Sequence, residues 1–165
     1  MVESDQLFLQ ALNQIFALRF DVGLTYRTGS RYGPINSGVM IFKNVSEKTI
    51  GFFNRYIHDT HRLQKHLIPP CHSGYNQLAL ADFRHRQSVD YYSTFTIKAA
   101  NYSVQILSLP MTIYNRPFYK TIDANTNAKI IHFPGKGKNK VSYAYNQIFH
   151  QHNRTLKSSF GQKVE

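Results

Sequence analysis

Strands alternating with helices predict an α/β protein with a sheet flanked by helices. Three observations carry that expectation. Apolar runs with strand character recur at residues 36–42, 104–110 and 128–133. An amphipathic stretch over 47–64 reads as a helix introduced by Ser46, with Ile50, Phe53, Ile57 and His61 on one face. The chain has 165 residues, 42% of them hydrophobic, which is enough for one domain with its own core.

Taken in order, residues 5–16 ("DQLFLQALNQIF") have roughly helical spacing through Leu7, Phe8, Leu12, Ile15 and Phe16. "FDVGLTYR" (20–27) reads as a strand loosened by Gly23, and "TGSRYGP" (28–34) as a turn-rich loop. "NSGVMIF" (36–42) is a buried strand, and the 47–64 helix follows. "LIPPCHSG" (67–74) breaks the chain before a second helix, "YNQLALADF" (75–83). Residues 84–103 read as extended, "VQILSLP" (104–110) as a strand ended by proline, and "YNRPFY" (114–119) as a loop. "AKIIHF" (128–133) is a strand. "SYAYNQIFHQH" (142–152) is a last helix, with Tyr145, Ile148, Phe149 and His152 on one face. The expected domain is 1–152, with 153–165 as a frayed tail.

The formal net charge is +11, which favours anionic partners: nucleic acid, a phosphate-bearing ligand or an acidic membrane surface. After Asp123 come seven Lys/Arg and one acid, Glu165. A single cysteine, Cys71, excludes an internal disulfide. No apolar run reaches the roughly 18 residues of a membrane helix, and acids at positions 3 and 5 argue against a signal peptide, so a cytoplasmic location is expected.

Four constellations carry chemistry. Glu3 and Asp5 are an acid-x-acid pair. In an extended chain they point the same way and can bind a divalent cation, although a solvated helix start gives the same pattern. In "GPINSGVMIF", Asn36 and Ser37 offer donors and acceptors just before a buried strand, where a structural turn is the other reading. In "GYNQLALADF", Asn76 and Gln77 open a helix, as amides for polar recognition or as ordinary caps. In "IIHFPGKGKNK", His132 ends a strand before a cationic glycine loop. The imidazole suits a transition metal and the lysines suit phosphate oxygens, but a lone histidine is more often structural, and the lysines equally fit a solvated surface run. His58 and His61 at i, i+3 and Cys71 beside His72 are weaker metal or nucleophile candidates.

In order and approximate spacing, "ESDQLFLQALNQIF", "INSGVMIF", "GYNQLALADF" and "KIIHFPGKGK" resemble the motifs of glycogenin-like, nucleotide-sugar-dependent glycosyltransferases over residues 1 to about 140. The resemblance implies a truncated GT-A type mixed sheet with flanking helices. It implies Glu3, Asp5 and His132 as ligands of Mn²⁺ (or Mg²⁺) and Lys138 on the donor diphosphate, with Gly135 allowing close approach. Asn36, Ser37 and Gly38 line the sugar site, and Asn76 and Gln77 stand at its catalytic end. The implied reaction is transfer of a sugar, with retention, from a nucleotide-diphosphate sugar (UDP-sugar first) to a carbohydrate or other acceptor.

Glu3 and Asn76 stand where the family has Asp, and Asn139-Lys140 where glycogenin has Pro-Trp. The family's nucleotide-binding βαβ unit precedes the acid pair, so this chain is expected to be the second half of a catalytic domain, associating with an N-terminal half or with itself. Two alternatives stand beside this one: a catalytically inactive remnant or scaffold subunit, and a basic nucleic-acid-binding module. For the latter, the aromatics follow core periodicity rather than flanking the basic clusters.

Overall fold

The computed structural model describes residues 5–27, 34–66, 75–81, 90–118, 126–134 and 140–146. The expectations for Glu3, Cys71, His72, Gly135, Lys138, the last turns of the 142–152 helix and the tail lie outside them.

The chain is a mixed α/β protein. Its order is β1 (Gln6–Phe8), α1 (Asn13–Phe16), β2 (Val22–Tyr26), β3 (Ile35–Phe42), α2 (Glu47–His66), α3 (Tyr75–Ala81), β4 (Thr94–Ala99), β5 (Tyr102–Pro110), α4 (Met111–Tyr114), β6 (Arg116–Pro117) and β7 (Ile130–His132). Residues 141–146 are also helical. One sheet has four strands in the order β3-β2-β5-β4, and a second has three in the order β1-β7-β6. β2 runs parallel to β5, β6 runs parallel to β7, and the other pairings are antiparallel. Both sheets are therefore mixed. Among the described residues, no helix is long and apolar enough to cross a membrane.

Alternation along the strands sends side chains to two cores. Val22, Leu24 and Tyr26 of β2 and Val104 and Ile106 of β5 pack with Phe52 of α2 and Leu80 of α3. On the opposite face, Leu107 and Leu109 pack with Ile15, Val39, Ile41, Tyr114 and Ile130. β2 is buried at every position because helices cover both faces, as is usual for the centre of such a sheet. A third cluster joins Phe118, Ala128, Ile131, Phe133 and Ala144 around the small sheet.

α2 begins as its sequence demands. The Thr49 N–H donates to Ser46 Oγ at 3.3 Å, and the Ser46 N–H donates to Thr49 Oγ1 at 2.9 Å. This is the reciprocal logic of a capping box, with threonine in the usual Glu/Gln place.

Four expectations need correction. Residues 6–8 are a strand rather than the start of a helix, because Gln6–Phe8 find antiparallel partners in Ile130–His132. Pairing across the molecule overrides a weak local preference. On α2 the buried residues are Thr49, Phe52 and Asp59, while Ile50, Ile57 and His61 are exposed. The stretch 114–119 is not only loop: Tyr114 closes α4, and Arg116–Pro117 pair with β7. In the last helix Tyr145 is exposed and Ala144 is the buried residue.

Candidate functional site

The two sheets meet where β3 is irregular. Leu24 pairs with Met40, but the next residue of β2, Thr25, pairs with Asn36, so residues 37–39 fall outside the ladder. A bulge of this kind pushes backbone out of the sheet. The displaced residue is Gly38, and it lies against the Nδ1–Cε1 edge of His132, where an added Cβ would run into the ring. Only glycine leaves room for the imidazole there.

His132 owes its place to the small sheet. It pairs with Gln6 in the β1–β7 register, and the Phe133 N–H donates to the Asp5 carbonyl at 2.8 Å. The Asp5 carboxylate, 1% exposed as a residue, then faces the imidazole, with Oδ2 and Nε2 3.5 Å apart. Gln6 Nε2 donates to the Gly38 carbonyl and ties the small sheet to the bulge.

Behind the bulge is a buried polar anchor. Asn115 Nδ2 donates to Thr25 Oγ1 at 2.9 Å and to Asn36 Oδ1 at 2.8 Å. Asn36 Oδ1 also accepts the Gly38 N–H at 2.8 Å, and Thr25 Oγ1 donates to the Asn36 carbonyl at 3.0 Å. Three segments, β2, β3 and the turn after α4, are locked by amide and hydroxyl groups rather than by apolar contact. Such a network fixes geometry only when it is well satisfied.

These elements surround a cavity of about 310 Å³. Asn36, Ser37 and Gly38 form one wall, Asn76 and Gln77 another, and His132 a third; Met111 and Pro117 add apolar surface. Arg27 enters from the end of β2, with Nη2 donating to Gln77 Oε1 at 2.8 Å. Convergent polar groups beside apolar patches are what a hydroxylated ligand needs.

The structure thus brings together Asp5, His132, Asn36, Ser37, Gly38, Asn76 and Gln77; Glu3, Gly135 and Lys138 lie outside the described residues. Arg27, Gln6, Thr25 and Asn115 went unnoticed in the sequence. Arg27 has one sequence signal, a cation closing a strand next to a glycine-containing loop. Asn115 has none, since its role depends on partners 79 and 90 positions away. His58 Nδ1 stands 3.3 Å from Asp59 Oδ1, and Asp59 also meets Arg55 and Arg62.

One carboxylate and one imidazole suit a borderline divalent cation. Neighbouring donors about 2.1 Å from an octahedral ion stand roughly 3.0 Å apart, so the 3.5 Å between Asp5 Oδ2 and His132 Nε2 must shorten for both to hold one Mn²⁺ or Mg²⁺. Among the described residues no third His, Cys, Asp or Glu joins them, so a complete protein ligand set calls for Glu3 or another residue outside that range. A carboxylate and an imidazole are donor types compatible with the implied metal. Compared with known protein families, curated proteins and solved structures, the chain finds no match.

Proposed function

We propose that the chain carries the metal and sugar portion of a nucleotide-sugar-dependent glycosyltransferase. One observation carries this reading. An early carboxylate, Asp5, and a late imidazole, His132, meet beside a cavity walled by the same amides that the motif resemblance assigns to a sugar.

In this reading Asp5 and His132 hold Mn²⁺ or Mg²⁺, with Glu3 as a third ligand. A divalent cation bound there supplies Lewis-acid stabilisation of the departing nucleoside diphosphate. Lys138 and Gly135 belong to the loop that follows His132 and serve the same diphosphate, lysine by charge and glycine by close backbone approach. Asn36 and Ser37 donate to and accept from sugar hydroxyls. Asn76 and Gln77, at the start of α3, orient the anomeric side, and the network of Asn115, Thr25 and Asn36 holds the opposite wall in place before substrate arrives. The nucleic-acid reading has less support, because Tyr26, Tyr114, Phe52 and Phe133 are spent on the core, although Tyr91, Tyr92, Tyr143 and Tyr145 are exposed.

The test is release of nucleoside diphosphate from UDP-sugars with Mn²⁺, with and without acceptor sugars. Metal-dependent release is expected, reduced by at least about a hundredfold in Asp5→Asn and His132→Gln. Absence of release across donors, together with no Mn²⁺-induced rise in melting temperature, would overturn the proposal.

A further inference from the structure

We propose that Arg27 makes the cavity selective for a sugar bearing an anionic oxygen group, a carboxylate or a phosphate; the inference rests on the sugar-binding reading above. Arg27 is set in place from two sides. Its N–H donates to the Pro34 carbonyl at 2.8 Å, which fixes the backbone at the end of β2. Its Nη2 donates to Gln77 Oε1 at 2.8 Å, which fixes the guanidinium against α3.

The partner is a neutral amide, as it is for Lys129 with Gln14, so the hydrogen bond leaves the Arg27 charge without a counter-charge. Arg55 and Arg62 both meet the Asp59 carboxylate, and Lys48 meets Asp21. No carboxylate lines the Arg27 cavity among the described residues, since Asp5 is buried against His132. Arg27 Nε is itself buried with no hydrogen-bond partner among them. A half-buried guanidinium with donors to spare and no counter-charge is costly in the empty site and favourable once an anion enters. Neutral hydroxyls satisfy the amides on the other walls, but they do not neutralise Arg27. The site's chemistry therefore matches a uronate or a sugar phosphate better than a plain hexose.

The experiment needs neither metal nor nucleotide. Binding of glucose, glucuronate, glucose 6-phosphate and inorganic phosphate to the full chain is followed by NMR. Either acidic sugar is expected to bind at least about tenfold tighter than glucose. Arg27→Gln removes that preference and Arg27→Lys keeps part of it. Equal binding of glucose and both acidic sugars by the wild type overturns the inference, as does inorganic phosphate binding as tightly as the acidic sugars. An Arg27→Gln variant that is less stable but keeps the preference assigns Arg27 to holding α3 and also overturns it. Should Arg27→Gln fail to fold, the wild-type preference and the Lys variant decide. Because the readout excludes metal and donor hydrolysis, release of nucleoside diphosphate from neutral UDP-hexoses without any acidic preference sinks this inference alone. The converse result sinks the transferase reading alone.

Discussion

In the four-stranded sheet, β2 is buried at all five positions, and nearly every side chain it contributes is apolar or aromatic. Further along the chain the bulge of β3 faces the three-stranded sheet through Gln6, Asn36, Asn115, Asp5 and His132. The first region is held by non-directional burial, which tolerates small changes of shape and responds chiefly to lost volume. The second is held by short-range, directional contacts, in which one misplaced atom disturbs several partners. Stability and site geometry are therefore largely separable in this chain: the large sheet supplies the former, and the seam between the sheets supplies the latter.

The largest expected effect lies in the apolar region. Phe52 is fully buried and meets Phe42 edge-on at 6.4 Å. Phe52→Ala should cost about 3–5 kcal/mol, read as a fall in the denaturant midpoint. If the comparison holds, Mn²⁺ still raises the melting temperature of whatever fraction stays folded. Gly38→Ala attacks the seam. The new Cβ cannot coexist with the His132 ring where it stands, so imidazole or bulge must move. A stability loss of about 1–3 kcal/mol is expected, with near-complete loss of the Mn²⁺-induced stabilisation. A Gly38→Ala protein that responds to Mn²⁺ like the wild type would show that His132 is not held by this glycine.

Asn115→Ala removes the donor shared by Thr25 and Asn36 and should cost about 1–3 kcal/mol. On the proposed transferase reading, its signature is a rise in KM for the sugar donor larger than the stability loss alone explains. Tyr114 supplies a pH test on the apolar side. Burial, and then the hydrogen bond with Tyr92, push its hydroxyl above the ordinary tyrosine range. The folded state keeps the proton while the unfolded chain loses it. The contribution is fully present below about pH 10 and falls away as pH rises beyond it. Tyr114→Phe should therefore lose less stability than the wild type between neutral and strongly alkaline pH, measured by urea unfolding.

Much of the fold was legible because it is written locally. Ser46 begins α2, and the runs at 36–42 and 104–110 are too short and too branched for helices. The site residues were legible as separate motifs, but their meeting was not, since it depends on β1 pairing with β7 from the far end of the described chain. Without that partner, "QLF" has only its helical spacing to show. Arg27 and Asn115 were missed for the same reason. A cation at a strand end and an asparagine in a loop look ordinary until their partners are in view.

The face of α2 makes the smallest prediction and the sharpest one about reading sequences. Two apolar stripes run along this helix: Ile50, Phe53 and Ile57, and one turned away from it through Thr49, Phe52 and Tyr56. Hydrophobicity alone favours the first, which contains two isoleucines. The sheet takes the second, because α2 lies over β5 and β4 and its Phe52 joins Leu24 and Ile106 in one core cluster. Ile50 is left 51% exposed. Ile50→Gln should thus change stability by no more than about 0.5 kcal/mol in either direction. A loss of several kcal/mol would mean that the helix is rotated about its axis and that the stripe containing Ile50 is the one that packs.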